Sequence, residues 1–299
     1  MSEERQWTGR TDGAGWMHKS LIWLLRISPL PLVYLIMALV VPFYLLINRS
    51  GTRAIYHYLR RRQGWGRLHA ALGCYGNHFL FGTALLDRFG AYAGRRFRTI
   101  IPDYQLFLDL AAQEDGLMML SSHIGNPELC GYMLKSDRKR MNAVVFPGEK
   151  QSVHSWREKM LGNNNIRMIA TDGTMGWLFT LNAALADGEI VSIHADRTFG
   201  SPKTLRVRIL GAEARIPQGP FSLAAMHDKP VMAGFCLKSG LKRYDVPLFR
   251  IDTPEMSQLN REEKMQALAD AYAAAVDQVL QKWPLQWFNF FDFWGDIVG

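Results

Sequence analysis

The rhythm of apolar and polar positions changes sharply along the chain, and each change predicts a different structure. From Ile27 to Ile47 the sequence ISPLPLVYLIMALVVPFYLLI carries no charge, and its 21 residues are just enough to cross a bilayer as a helix. Pro29, Pro31 and Pro42 interrupt the run, so a kinked, partly embedded anchor fits as well as a straight span. A buried core helix is a third reading, against which the flanking charges weigh. Lys19 and Arg26 precede the run, and Arg49, Arg53, Arg60, Arg61 and Arg62 follow it. The heavier basic cluster on the C-terminal side predicts a main domain in the cytoplasm, and the same arginines suit anionic headgroups. Residues 1–19 are polar and glycine-rich and read as an arm. They do not read as a signal peptide, because the apolar run starts late and no small-residue cleavage site follows it.

Beyond residue 50 the rhythm becomes that of a folded domain. Residues 51–98 read as helices rich in aromatics, among them Tyr56, Trp65, Phe79 and Phe89. From 104 onward short apolar runs alternate with helical periodicity. Helices are predicted at 104–114, from 127 towards the basic run 135–140, at 152–161, 174–187, 220–227 and 261–282. Strands are predicted at 117–121, 143–146, 166–170, 190–195, 205–210 and 231–235. This order predicts an α/β fold with a mixed, largely parallel central sheet flanked by helices, behind an N-terminal hydrophobic membrane-binding segment. The boundary is drawn at residue 50, with the arm and anchor in 1–50 and one compact unit in 51–299.

Composition narrows the class. The chain is 48% hydrophobic and 21% charged, as expected of a globular protein, and its net charge of +8 favours an acidic partner such as an anionic lipid surface, a phosphorylated substrate, an acidic carrier protein or nucleic acid. No helix-turn-helix or aromatic-basic strand signature supports nucleic acid. Cys74, Cys130 and Cys236 are isolated and odd in number, so no metal spacing or disulfide framework is predicted, and a reducing compartment fits.

The chemistry gathers in residues 117–134, LMMLSSHIGNPELCGYML. An apolar strand ends at two serines and His123. Asn126 suits a helix N-cap, Pro127 the first helical position, and Glu128 the first turn, where the backbone dipole favours a carboxylate. His123 and Glu128 therefore read as a base and the acid that orients it. The spacing alone is expected roughly once by chance among eight histidines, and the strand-end context raises it above a mere loop histidine. Active sites in such sheets gather at the carboxyl ends of strands. Two further strand ends carry polar residues: Phe146 to Lys150, and His194-Ala195-Asp196-Arg197. Asn126, Asp196, Arg197, Arg157, Arg167 and Gly219 are the substrate-contact candidates. Arginines suit phosphate or another anion, and Gly219 before Pro220 suits a turn into a helix N-terminus whose N–H groups hold an oxyanion or phosphate. Arg197 reads equally well as half of a structural ion pair. His78 has Thr83 rather than an acid five residues on and reads as a core histidine. The aromatic tail from Trp283 to Trp294 must pack on the core or touch lipid.

The segments SSHIGNPEL, HADRTFG, ILGAEARIPQGPFSLAA and PVMAGF, in that order, resemble the lysophospholipid acyltransferase superfamily in its lipid A acyltransferase branch. LLDRFG and WFNFFDFW are similar to a bacterial subgroup linked to aryl polyene or unusual lipid pathways. The resemblance covers most of residues 16–294. It departs from the better-studied branches at Asp196-Arg197, where an acid pair is usual, and in lacking a glycerolipid-type FPEGTR block. Only His123 and Glu128 carry over residue for residue. The resemblance implies transfer of an acyl chain from an acyl carrier protein or coenzyme A thioester to a hydroxyl or amine of a lipid or glycolipid. It implies no acyl-enzyme, no metal and no resident cofactor, and a site at the cytoplasmic face of a bacterial inner membrane. Two other classes remain: a thioesterase or lipid hydrolase using Ser121 or Ser122, which lacks a G-x-S-x-G elbow, and a non-catalytic membrane-binding protein.

Overall fold

The computed structural model describes residues 15–134, 136, 138–145, 165–171, 176–198 and 203–297. The predicted helix at 152–161, the Phe146 to Lys150 strand end and Arg157 lie outside the described residues.

The described residues open with four helices: α1 (Gly15–Ile27), α2 (Leu30–Ile47), α3 (Arg49–Arg61) and α4 (Arg67–Tyr92). The polar arm expected over residues 1–19 is thus helical from Gly15, and α1 continues past it with Ile22 and Leu25 buried. The break between α1 and α2 falls at Ser28-Pro29, where Pro29 lacks the N–H that a continuing helix needs. Pro42 sits inside α2 without ending it. One face of α2, with Leu30, Val33, Tyr34 and Val41, is buried. The opposite face exposes Leu32, Leu35, Ile36, Leu39, Phe43, Leu46 and Ile47. The helix runs antiparallel along α4. Met37 lies over Gly82, where a β-carbon would meet its sulfur at 2.6 Å, and the Tyr75 hydroxyl donates to the Ala38 carbonyl at 3.0 Å. Leu25, Val33, Leu86 and Phe89 close this contact as one apolar cluster.

Strand β1 (Arg98–Ile100) and helix α5 (Tyr104–Ala112) lead into a six-stranded sheet. Its members are β2 (Leu117–Ser121), β3 (Met141–Val145), β4 (Ile166–Ala170), β5 (Ile190–His194), β8 (Val231–Gly234) and β11 (Leu248–Arg250). The order is β11-β8-β2-β5-β3-β4; the five strands from β8 to β4 are parallel, and β11 is antiparallel to β8. The apolar runs explain the central place of β2 and β5, since a strand covered on both faces has no polar side to offer. Alternate side chains divide between two cores. Met118 and Leu120 join the core with helices α7 (Gly176–Ala186), α8 (Gln218–His227) and α9 (Arg261–Lys282), while Leu117 and Met119 join the core with α5 and α6 (Pro127–Met133).

Sequence patterning predicted the strand at 205–210 but not its hairpin partner, nor the short strands at 98–100, 237–240, 243–245 and 248–250. β6 (Thr204–Ile209) and β7 (Ala212–Pro217) form a hairpin turned at Leu210 and Gly211, both with positive φ. β9 (Leu237–Gly240) and β10 (Arg243–Asp245) pair with β1 in a small sheet. At three or four residues, β9, β10 and β11 are too short to show a period.

Candidate active site

The register of the two central strands builds the site. β2 and β5 are parallel, with Ser121 opposite His194. Two residues beyond that pair stand His123 on one strand and Asp196 on the other, so the equal offset brings them together. The Asp196 carboxylate is bound twice by His123. Oδ1 lies 2.8 Å from the ring Nδ1, and Oδ2 accepts the backbone N–H at 2.9 Å. A carboxylate accepts only, so Nδ1 carries the proton and Nε2 keeps a lone pair. The Asp196 side chain is 3% exposed and the His123 side chain 28%, so the ring is the part of the pair that reaches solvent.

Burial of the His123 imidazole pushes its pKa below the ordinary value of 6.5; Asp196 opposes the shift and Arg197 adds to it. For Asp196 burial works in the upward direction, but His123 and Arg197 outweigh it and hold the carboxyl well below the usual range. A third group completes the cluster. His194 stacks on His123, with ring centroids 4.7 Å apart and planes 28° apart, and its Nδ1 lies 3.0 Å from Ser121 Oγ. Burial, reinforced by the neighbouring imidazole, lowers the His194 pKa to about 3, so this ring is neutral at physiological pH. A neutral second ring adds no further cation to Arg197 when His123 takes up a proton.

The loop after His123 is held by backbone bonds on both sides. The Phe288 amide donates to the His123 carbonyl at 3.0 Å, the Gly125 amide to Gln286 O at 2.7 Å, and the Asn126 amide to Cys236 O at 2.7 Å. Gly125 has φ +68°, and a β-carbon there would lie 2.0 Å from the Cys236 carbonyl oxygen, which is why glycine stands two residues after the histidine. The aromatic tail forms one wall of this loop: Trp287 and Phe288 are buried, and Trp287 bridges to Ile124. Core packing is thus its main role.

The other candidates are placed differently from the sequence reading. Glu128 does sit in the first turn of α6, but its carboxylate accepts from Arg88 Nη1 at 3.3 Å and from the Tyr92 hydroxyl, both on α4. The acid on His123 Nδ1 is Asp196, because strand register, not the five-residue spacing, decides which carboxylate faces the ring. Asn126 is a buried N-cap; its oxygen accepts from the Leu129 amide at 3.4 Å and its nitrogen donates to Ala84 O at 2.9 Å, so both ends of the amide serve the fold. Arg197 is a strut to the tail, donating to Asn289 Oδ1 at 2.8 Å and to the Phe288 carbonyl at 2.9 Å. Arg167 is exposed as the second residue of β4, three strands from β2, about 14 Å across the sheet. Gly219 lies in the first turn of α8, and open space stands over it. Ser121 faces His194, and Ser122 Oγ accepts from the Ile124 amide at 3.3 Å, so neither hydroxyl is arranged as a nucleophile on His123. His78 is buried as expected of a core histidine. Sequence reasoning named the His194 strand end but gave His194 no role, and it missed the pairing role of Asp196. The signal was the matching end of two buried strands, S-x-H after β2 and H-x-D after β5.

His123, His194 and Asp196 also form the one group of candidate metal ligands among the described residues. The donor set fits poorly: the Asp196 oxygen and His123 Nδ1 already face each other at hydrogen-bond distance, and His194 Nδ1 is taken by Ser121. What the cluster can do without a metal is accept a proton at Nε2 and stabilise the resulting cation against Asp196. No curated protein matches the chain. A profile of the bacterial lipid A biosynthesis acyltransferase family matches residues 96–295, which spans β1, every strand of the sheet, His123, Asp196 and the aromatic tail. That stretch is 200 of the 299 residues. The chain belongs to the bacterial lipid A biosynthesis acyltransferase family.

Proposed function

We propose that this protein is a membrane-associated acyltransferase that moves a fatty or polyene acyl chain from an acyl carrier protein or coenzyme A thioester to a hydroxyl or amine of a lipid or glycolipid. The carrying observation is His123, with Nδ1 tied to a buried carboxylate and its ring open to solvent, in a chain of this family. His123 Nε2 accepts the proton of the acceptor hydroxyl or amine as that oxygen or nitrogen attacks the thioester carbonyl carbon. Asp196 stabilises the imidazolium. The tetrahedral intermediate collapses with loss of the thiolate, which takes the proton back from Nε2. An ester or amide and a free thiol result, and no acyl-enzyme forms. The lowered pKa of His123 keeps the base neutral and ready near pH 7. Glu128, with Arg88 and Tyr92, fixes the helix that follows the histidine.

The outward face of α2 supports membrane attachment. The helix is about 27 Å long and apolar enough to cross a bilayer. Yet it lies against α4, whose other contacts carry buried Asn77, His78 and Asp87 into the domain. This favours edge-on embedding in the cytoplasmic leaflet of the inner membrane over a free span. The basic surface suits an acidic carrier protein. The polyene substrate rests on the resemblance of LLDRFG and WFNFFDFW.

The test is a mass-spectrometric turnover assay with both thioester types and an extract of lipid acceptors. A new ester or amide that His123→Ala fails to form supports the proposal. Release of free acid alone would support a thioesterase instead.

A further inference from the structure

The bond between His123 and Asp196 fixes one atom of the base and leaves the ring one freedom. Asp196 Oδ1 holds Nδ1 at 2.8 Å, while Oδ2 is taken by the His123 backbone N–H. The outer torsion of a histidine side chain is broad, so the ring can tilt about that single bond and carry Nε2 out of line. A working base has to be held to within about 0.5 Å and 10–20° of its productive geometry. A second support must set the plane of the ring.

His194 stands where that support is needed. Ser121 and His194 face each other across β2 and β5, two residues before His123 and Asp196, so the alternation of the strands puts all four side chains on one face. The His194 ring lies against the His123 ring, with centroids 4.7 Å apart and planes 28° apart. It is itself anchored. Its Nδ1 shares a hydrogen bond of 3.0 Å with Ser121 Oγ, and the Ser121 carbonyl accepts from the Tyr272 hydroxyl of α9 at 3.0 Å. Tyr272 is fully buried, so the support runs from the core to the ring. Among the described residues, the charged and titratable groups that bear on the two rings are Asp196, Arg197 and Tyr272. His194 stays neutral over the range in which His123 titrates, so the support keeps its charge when the base changes its own.

We propose that His194, anchored by Ser121, is the positioning residue of the base: its ring sets the plane of the His123 imidazole, shields that face from water and aims Nε2 along one line. His194 acts through His123 and not on the substrate. The proposal rests on the reading of His123 as the base.

Two measurements on the full chain in detergent test it: steady-state acyl transfer across pH, and a pH titration of the His123 ring by ¹⁵N-histidine NMR, its signal identified by its loss in His123→Ala. Thermal unfolding checks each variant. His194→Ala should lower kcat by roughly 10- to 10²-fold, the cost of a base out of place, with KM nearly unchanged. Its acid limb should move up towards 6.5, because water replaces the ring and burial is what lowers the His123 pKa. His194→Phe keeps a flat ring and should recover most of kcat and the lower midpoint. Ser121→Ala loosens the support and should fall between the parent and His194→Ala in both. The NMR midpoints should follow the same order. A parent chain that transfers no acyl group would sink the catalytic reading, and the NMR midpoints would then decide the positioning role alone. A folded His194→Ala variant with the parent midpoint, or a His194→Phe variant no closer to the parent than His194→Ala, would overturn the proposal. If His194→Ala does not fold, a Ser121→Ala variant with the parent kcat and midpoint would overturn it instead.

Discussion

Two carboxylates among the described residues are almost completely buried, and their surroundings differ in a way that separates reactivity from architecture. Asp87, on α4, is fully closed. Tyr34 from α2 and Tyr244 from β10 donate their hydroxyls to it, and Lys238 from β9 lies at 2.6 Å, itself 9% exposed. Each partner comes from a different element, so this one charge ties the N-terminal helices to the small sheet. Burial lowers the Lys238 pKa, and Asp87 works against that shift. Asp196 is nearly as buried, but its main partner is a ring that reaches solvent and can change protonation state. A buried charge surrounded on all sides locks structure. A buried charge whose partner keeps one nitrogen open can support a reaction.

The comparison can be broken by removing each partner in turn. His123→Ala should lower acyl transfer by about 10²- to 10⁴-fold, the usual contribution of a positioned base, while far-ultraviolet circular dichroism stays unchanged. Asp87→Ala should do the reverse. It strands a buried ammonium and should cost about 3–5 kcal/mol in denaturant unfolding, with turnover per folded molecule largely kept. The third expected effect concerns pH. His194 has a folded-state pKa of about 3 against an ordinary 6.5, so between those values the unfolded chain binds a proton that the folded chain refuses. Stability should therefore fall as pH drops from 6.5 towards 3, by at most about 1.4 kcal/mol per unit from this group. His194→Gln should flatten that part of the stability profile measured by thermal unfolding.

How far the sequence foretold this arrangement depends on the range of the interactions. Elements with strong local patterns were legible: the uncharged run that became α2, the apolar runs that became β2, β5 and β8, and the Asn126-Pro127 start of α6. The largely parallel sheet followed from their alternation. His123 was legible because it ends an apolar strand beside a glycine turn. Its true partner was not, because Asp196 is 73 residues away and meets the ring only through the pairing of Ser121 with His194. Glu128 looked like that partner because it is near in sequence, yet a carboxylate in the first turn of a helix can be claimed by the helix packed against it, as Arg88 and Tyr92 do here. For Arg197 the sequence left a substrate contact and a structural role open. Its fork suits a phosphate, but it faces the carbonyl of Phe288 and the amide of Asn289 in a tail more than 90 residues on.

The central claim is that Asp196, rather than Glu128, holds the base. The most direct measurement compares acyl-transfer rates across pH for the parent chain, Asp196→Asn and Glu128→Gln, with folding checked by thermal unfolding. In the parent the acid limb should have its midpoint below 6.5, because burial lowers the His123 pKa. Asp196→Asn should cut turnover by roughly 10²- to 10⁴-fold and move that midpoint lower still, since it removes the charge that favours the imidazolium. Glu128→Gln should cost about 1–3 kcal/mol of stability and leave the midpoint in place, with a smaller loss of rate. A folded Asp196→Asn variant that keeps parent turnover, or a Glu128→Gln variant that shifts the acid limb while Asp196→Asn does not, would contradict the account.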